Sequence, residues 1–348
     1  MTPYTLFITL FSLGVGTTMT FASTHWMLAW MGLETSTLAI IPMMAQQHSP
    51  RTTEATTKYF LIQATSAAMI LYASMMTALN LTQWDIIQPT SELYSTITIL
   101  ALAMKTGMAP LHFWLPEVLQ GIDVTTGLIL STWQKLAPMA LFVQVTQTAN
   151  PLLLTLLGIT SSVVGGWSGL NQTQLRKVMA YSSIAHMGWM VIIMQYTPNL
   201  TILALALYIF MTSAAFLTMK IMNTTQINTL LLMNMKSPVT MAMMVLAMLS
   251  LGGLPPLTGF MSKWLILEQL TKQDIPVTAT VMALSALLSL YFYLRLCHTM
   301  ALTTSPNTMN SNTHWRTQIK KGSLPLVIAM TMSIGLLPIT PTILSLTL

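Results

Sequence analysis

Three lysines and one glutamate stand where charged side chains are costly. Lys105, Lys135 and Lys263 fall inside long apolar segments, and so does Glu34. An ionisable group at the centre of a membrane-spanning helix costs about 2.5–3.5 kcal/mol on insertion scales, so each needs a compensating role and a place facing the bundle interior. A lysine kept from water can load and release a proton near neutral pH, and a neighbouring carboxylate favours the loaded form. Glu34 beside Lys105 would therefore act as a switch between loaded and released states. His112 and His186 also sit in helical segments, and histidine can relay protons between distant lysines. The bland alternatives are a snorkelling or statically paired lysine, a static ion-pair partner for Glu34, and a buried hydrogen bond for each histidine. Glu117 and Asp123 read as solvated charges, with a proton uptake point as the sharper reading.

Other chemistries find no residues to carry them. His25, His48, His298 and His314 have no metal-like partner spacing, and a single cysteine, Cys297, allows neither a disulfide within the chain nor a cysteine-held cluster. No phosphate-cradling glycine loop or dinucleotide fingerprint appears, so neither ATP nor a nicotinamide cofactor has a site. Moving one proton against about 100 mV costs about 2.3 kcal/mol, so the drive must come from an ion gradient or a partner.

The elements that must position these residues follow from composition. Of 348 residues, 53% are hydrophobic and 6% charged, against roughly 25% charged in a soluble domain. With a mean hydropathy of +0.66, the chain reads as an all-α polytopic membrane protein, and a soluble globular enzyme is excluded. The net charge of +6 comes without a basic run interleaved with aromatics, so no nucleic acid partner is implied.

Apolar windows predict eleven transmembrane helices, at about 3–21, 25–45, 55–79, 95–121, 123–148, 150–171, 175–196, 199–223, 238–270, 276–300 and 324–346. The first, Pro3 to Phe21, reads as a retained helix and not a cleaved presequence. Loops are short apart from Thr303 to Gly322.

The fourth and ninth helices should both be broken. One carries Lys105-Thr-Gly-Met-Ala-Pro110-Leu-His112-Phe-Trp-Leu-Pro116, the other Ser250-Leu-Gly-Gly-Leu-Pro255-Pro256-Leu-Thr-Gly259-Phe-Met-Ser-Lys263. Proline removes a backbone donor and glycine eases unwinding, and broken backbone at that depth survives only in a protein-lined or hydrated site. Five helices separate Pro110 from Pro255 and Pro256, which predicts two inverted five-helix repeats in one membrane domain: residues 1–148, then 150–300, with a loop and C-terminal helix over 301–348.

Basic residues set the orientation. Arg51, Lys58, Arg176, Lys177, Lys220, Lys236, Arg295, Arg316, Lys320 and Lys321 lie near loops after even-numbered helices, whereas the opposite side receives only Lys272. This places the N-terminus on the positive, matrix-like side and, with an odd helix count, the C-terminus opposite.

Four stretches together carry a resemblance: Trp30-Met-Gly-Leu-Glu34, Lys105 to Pro116, Arg176-Lys-Val-Met-Ala-Tyr-Ser-Ser-Ile-Ala-His186-Met-Gly188, and Leu251 to Lys263. In these the chain resembles the antiporter-like membrane subunits of proton-pumping NADH:ubiquinone oxidoreductase, respiratory complex I, which are related to sodium/proton antiporter subunits. The resemblance implies that Lys105 is the central lysine of the first broken helix, Glu34 its modulating acid, Lys135 a linking lysine and Lys263 the lysine of the second broken helix. It implies a subunit of a translocase in the mitochondrial inner membrane, with neighbouring antiporter-like subunits and lipid as partners. NADH, FMN, iron–sulfur clusters and ubiquinone would then be held by other subunits, with no cofactor in this chain. The lack of three further N-terminal helices found in bacterial relatives resembles the shortened animal form, as do the 31 methionines and many threonines. A free-standing sodium/proton antiporter and a structural spacer subunit remain the alternatives.

Overall fold

The computed structural model describes residues 2–86, 91–233, 238–302, 324–340 and 342. Lys236, His314, Arg316, Lys320, Lys321 and the whole of the predicted last loop lie outside them. The described residues are helical almost throughout, and they divide into two compact units, Met1–Ser161 with Met194–Pro198 and Ser162–Ile193 with Asn199–Leu348.

In the first unit, α1 (Pro3–Ala22) and α3 (Pro50–Leu81) each start with a hydroxyl cap followed by proline. Thr2 and Ser49 accept from the main-chain N–H groups of Thr5 and Thr52, and proline suits the first helical position because its missing N–H is not needed there. The Ser49–Pro50 cap explains why the third helix begins five residues before the apolar pattern does. Between them, α2 (Trp26–Met44) crosses α1 closely. A Cβ on Gly16 would stand 2.8 Å from the Gly32 carbonyl, and one on Gly32 would stand 2.8 Å from the Gly16 carbonyl, the small-residue contact that lets two apolar helices approach.

The predicted fourth helix is split, as its glycine and prolines require, into α4 (Glu92–Thr106) and α5 (Trp114–Gly121). The predicted fifth is also interrupted, which the hydropathy pattern does not show: α6 (Val124–Thr132), a 3-10 turn at Trp133–Lys135 and α7 (Leu136–Val145). Pro138 explains it, since it has no N–H to give the Gln134 carbonyl and its ring crowds that oxygen.

In the second unit the axis is α9 (Leu175–Met194), which follows α8 (Pro151–Gly169) and is buried almost throughout. Then come α10 (Pro198–Met222) and a short α11 (Ile227–Met233) absent from the sequence expectation. The predicted ninth helix is split into α12 (Pro238–Gly252) and α13 (Thr258–Lys272), followed by α14 (Pro276–Leu302) and α15 (Leu324–Gly335). α12 packs against α13, α14 and α15.

Hydroxyl side chains fit these apolar helices because they bond back along their own turn. Thr20, Ser36, Ser66, Ser182 and Thr218, for example, each donate to the carbonyl three residues earlier, so each buried oxygen is satisfied locally. The outward face of α1 carries Tyr4, Phe7, Ile8 and Phe11, all well exposed, as a lipid-facing helix requires.

Candidate functional site

The last turn of α4 positions Lys105. Gly107 follows at a φ of +76°, its N–H bonding the Met104 carbonyl and that of Met108 bonding the Ala103 carbonyl. This pair of bonds is the glycine-terminated end that closes many helices. Two carbonyls of the turn gain side-chain donors: Trp114 Nε1 gives a hydrogen bond to the Met104 carbonyl at 3.1 Å and Gln63 Nε2 one to the Lys105 carbonyl at 3.3 Å. Trp114 belongs to the helix after the break, so the second half caps the first. Pro110 and His112 both lie in the open stretch between; Pro110 is exposed, whereas His112 is buried with its ring 4.4 Å from that of Phe113.

Lys105 is 5% exposed and Lys135 3%, which excludes snorkelling to the surface of this chain. Both line one cavity of the first unit, with Ser36 and Thr37 of α2, Tyr59 and Gln63 of α3, Trp114 of α5 and Gln134 of the 3-10 turn. Its room for water centres is about 10 Å³, close to the least that holds one water molecule. The Lys105 ammonium is buried with no hydrogen-bond partner. Glu34, half-buried on α2, is the carboxylate whose charge reaches it, without an ion pair within 4 Å among the described residues. Its carboxylate accepts from the Thr37 hydroxyl at 3.4 Å. Lys105 and Lys135 are thus brought together on one cavity, which Glu34 does not line. Tyr59, Gln63, Trp114 and Gln134 were not singled out by the sequence.

The second unit builds a different arrangement around Lys263. α12 ends as α4 does, with Gly253 at a φ of +80° and bonds from Gly253 and Leu254 N–H to the Ser250 and Leu249 carbonyls. Pro255 and Pro256 then face outward, and Leu257 leads into α13. Lys263, 8% exposed, reaches back and donates from Nζ to the Gly252 carbonyl at 2.9 Å, a cation on the negative end of a helix dipole. Glycine is needed beside it, since a Cβ at Gly253 would lie 3.1 Å from Lys263 Cδ and 3.2 Å from Nζ. At Gly259 the two halves touch: a Cβ there would be 1.8 Å from the Ser250 carbonyl. His186 of α9 is buried with its ring 5.6 Å from that of Tyr208, and Tyr293 packs against Gly252.

Glu117 is exposed and bonds Lys58 at 2.7 Å, which also holds Glu54 at 2.6 Å. No group of three or more His, Cys, Asp or Glu side chains suited to a metal occurs among the described residues, and Cys297 is a free, buried thiol.

The sequence matches the family described as NADH:quinone oxidoreductase/Mrp antiporter, transmembrane, over residues 23–289, and the C-terminal region of NADH dehydrogenase subunit 2 over 290–344. It is 67% identical over 347 residues to NADH-ubiquinone oxidoreductase chain 2 of Danio rerio, and 64% identical over 347 residues to that of Carassius auratus, covering all of both chains in each case. Its fold is similar to a chain of respiratory complex I from Thermus thermophilus, with a TM-score of 0.84 and 26% identity over 96% of this chain and 78% of that one. Breaks, buried lysines and full-length identity agree: the chain belongs to the NADH:quinone oxidoreductase/Mrp antiporter transmembrane family, in its NADH-ubiquinone oxidoreductase chain 2 branch.

Proposed function

We propose that this chain is a core membrane subunit of proton-pumping NADH:ubiquinone oxidoreductase, a multi-pass protein of the mitochondrial inner membrane that handles protons on its buried lysines. The observation that carries the reading is the single cavity lined by both Lys105 and Lys135, with Glu34 as the carboxylate acting on Lys105. Two amines on one cavity can exchange a proton, and a change of field at Glu34 alters how firmly Lys105 holds it. Electron transfer in other subunits supplies the drive, and the NADH, FMN, iron–sulfur and quinone chemistry belongs there. Lys263 serves the second unit as its own proton carrier, with His112 and His186 as relays within their respective units. The neighbours are other antiporter-like membrane subunits of the same complex. The N-terminus faces the matrix and the C-terminus the intermembrane space, which the ten-to-one division of loop charges supports. Full-length identity to an oxidoreductase chain favours this reading over a free-standing antiporter or an inert spacer.

The test is Lys105→Met in the assembled complex, with NADH oxidation and proton uptake followed together in sealed membrane vesicles. Pumping is expected to fall at least several-fold. Unchanged pumping in a fully assembled complex would overturn the role of Lys105.

A further inference from the structure

The cavity in the first unit contains two side chains that no charge inventory singles out. Gln63 of α3 and Gln134 of the 3-10 turn both line it, together with the two lysines. Each amide is anchored through its nitrogen: Gln63 Nε2 donates to the Lys105 carbonyl at 3.3 Å, and Gln134 Nε2 donates to the Ser36 carbonyl at 2.8 Å. A primary amide offers two N–H donors on one side and an oxygen with two lone pairs on the other. With one N–H of each nitrogen given to a carbonyl, the oxygen is the acceptor that each amide offers the cavity.

Lys105 needs that end. A charged lysine carries three N–H donors and no acceptor, and the Lys105 ammonium is buried without a hydrogen-bond partner. The cavity wall contains no carboxylate, and no ion pair within 4 Å joins Lys105 to Glu34. Whatever receives the ammonium N–H groups inside the cavity is neutral.

We propose that Gln63 and Gln134 are a pair of neutral acceptors, whose amide oxygens receive hydrogen bonds from whichever of Lys105 and Lys135 is carrying the proton. This deepens the reading of those lysines as proton carriers and rests on it. In the transfer, the Lys135 ammonium gives up one proton and becomes an amine, the Lys105 amine takes that proton and becomes an ammonium, and the cavity holds one positive charge before and after. The amides carry no proton at any stage; they steady the cation without holding it. A carboxylate at either position would hold it, because an anion beside an ammonium favours the loaded form. An aliphatic side chain would offer nothing to bond. Gln134 has a second use, since Ser36 lies two residues beyond Glu34: its amide ties the turn that carries Lys135 to the helix that carries the acid.

The experiment uses the assembled complex in sealed vesicles, with Gln63→Glu, Gln134→Glu, Gln63→Leu and Gln134→Leu beside Lys105→Met. Protons pumped per NADH oxidised are measured from mildly acidic to alkaline pH. The glutamate variants, near-isosteric with glutamine, should pump about tenfold more slowly near neutrality, the effect of a one-unit change in proton affinity. Their rate maximum should move to higher pH, where the held proton is released. The leucine variants should also be slower, with the maximum moved to lower pH, because a lost acceptor disfavours the ammonium. Should the leucine variants fail to assemble, the displaced maximum of the glutamate variants supports the proposal by itself. Four native-like glutamine variants beside a defective Lys105→Met would overturn the proposal alone, as would slowed glutamate variants with an unmoved maximum, the mark of a merely structural role. A native-like Lys105→Met would overturn the reading beneath it as well.

Discussion

At the scale of single residues, two buried cations meet the same difficulty differently. Lys263 finds a main-chain carbonyl at 2.9 Å, whereas Lys105 finds no hydrogen-bond partner among the described residues. A buried charge without a close partner costs several kcal/mol, which is why the proposed switch gives Glu34 a part in the loading of Lys105. Glu34→Gln should lower protons pumped per NADH several-fold while the amount of assembled complex, read on a native gel, stays the same, because Glu34 is half-buried and accepts only the local Thr37 hydroxyl and no long-range bond. Full pumping in that variant would remove the switch role. The four charged residues were legible in the sequence because a charge in an apolar window stands out by its transfer energy alone. Tyr59, Gln63, Trp114 and Gln134 were not, since an aromatic or an amide is unremarkable in such a window until folding turns it toward a lysine.

At the scale of elements, both breaks end on a left-handed glycine, and in both a side chain from beyond the break donates to a carbonyl of the first half. Gly259 marks where α12 and α13 come closest. Gly259→Ala should destabilise by about 1–3 kcal/mol, the usual range for overpacking a filled interior, since its methyl would meet the Ser250 carbonyl. Less assembled complex and a lower thermal midpoint in detergent would show it. Gly14→Ala, with nothing within 4 Å of the added carbon, is the control and should match the native protein; equal behaviour of the two variants would mean that the close approach is not needed. These breaks were readable from glycine and proline. The interruption at Trp133–Lys135 was readable in principle from Pro138, but a hydropathy window averages over one missing hydrogen bond. The short α11 gave no signal because seven residues hold too few turns for a period.

At the scale of the whole molecule, loop charges support the proposed direction, which no single helix can give. Lys272, exposed at the end of α13, stands alone on its predicted side, against Arg51 and its companions on the other. Lys272→Cys should react with a membrane-impermeant maleimide added to mitoplasts, and Arg51→Cys only in inside-out inner-membrane particles. The opposite pattern would reverse the assigned orientation. The native background is quiet, because the only cysteine in the chain is buried. Fold class follows from composition and span length. The division into two compact units, with α8 shared at Ser161 and Ser162, depends on long-range packing that a one-dimensional pattern does not contain.

The two caps have a consequence for genetics. In the first unit the donor that seals the break is the indole of Trp114, and the proposed proton carrier is Lys105, so backbone closure and charge can be altered by separate mutations. In the second unit Lys263 is both the fastener and the proposed carrier. A substitution there that removes the whole side chain changes the two at once, and its defect cannot be assigned to either by loss alone. Only a replacement that keeps the N–H donor and drops the charge, such as Lys263→Gln, begins to separate the two.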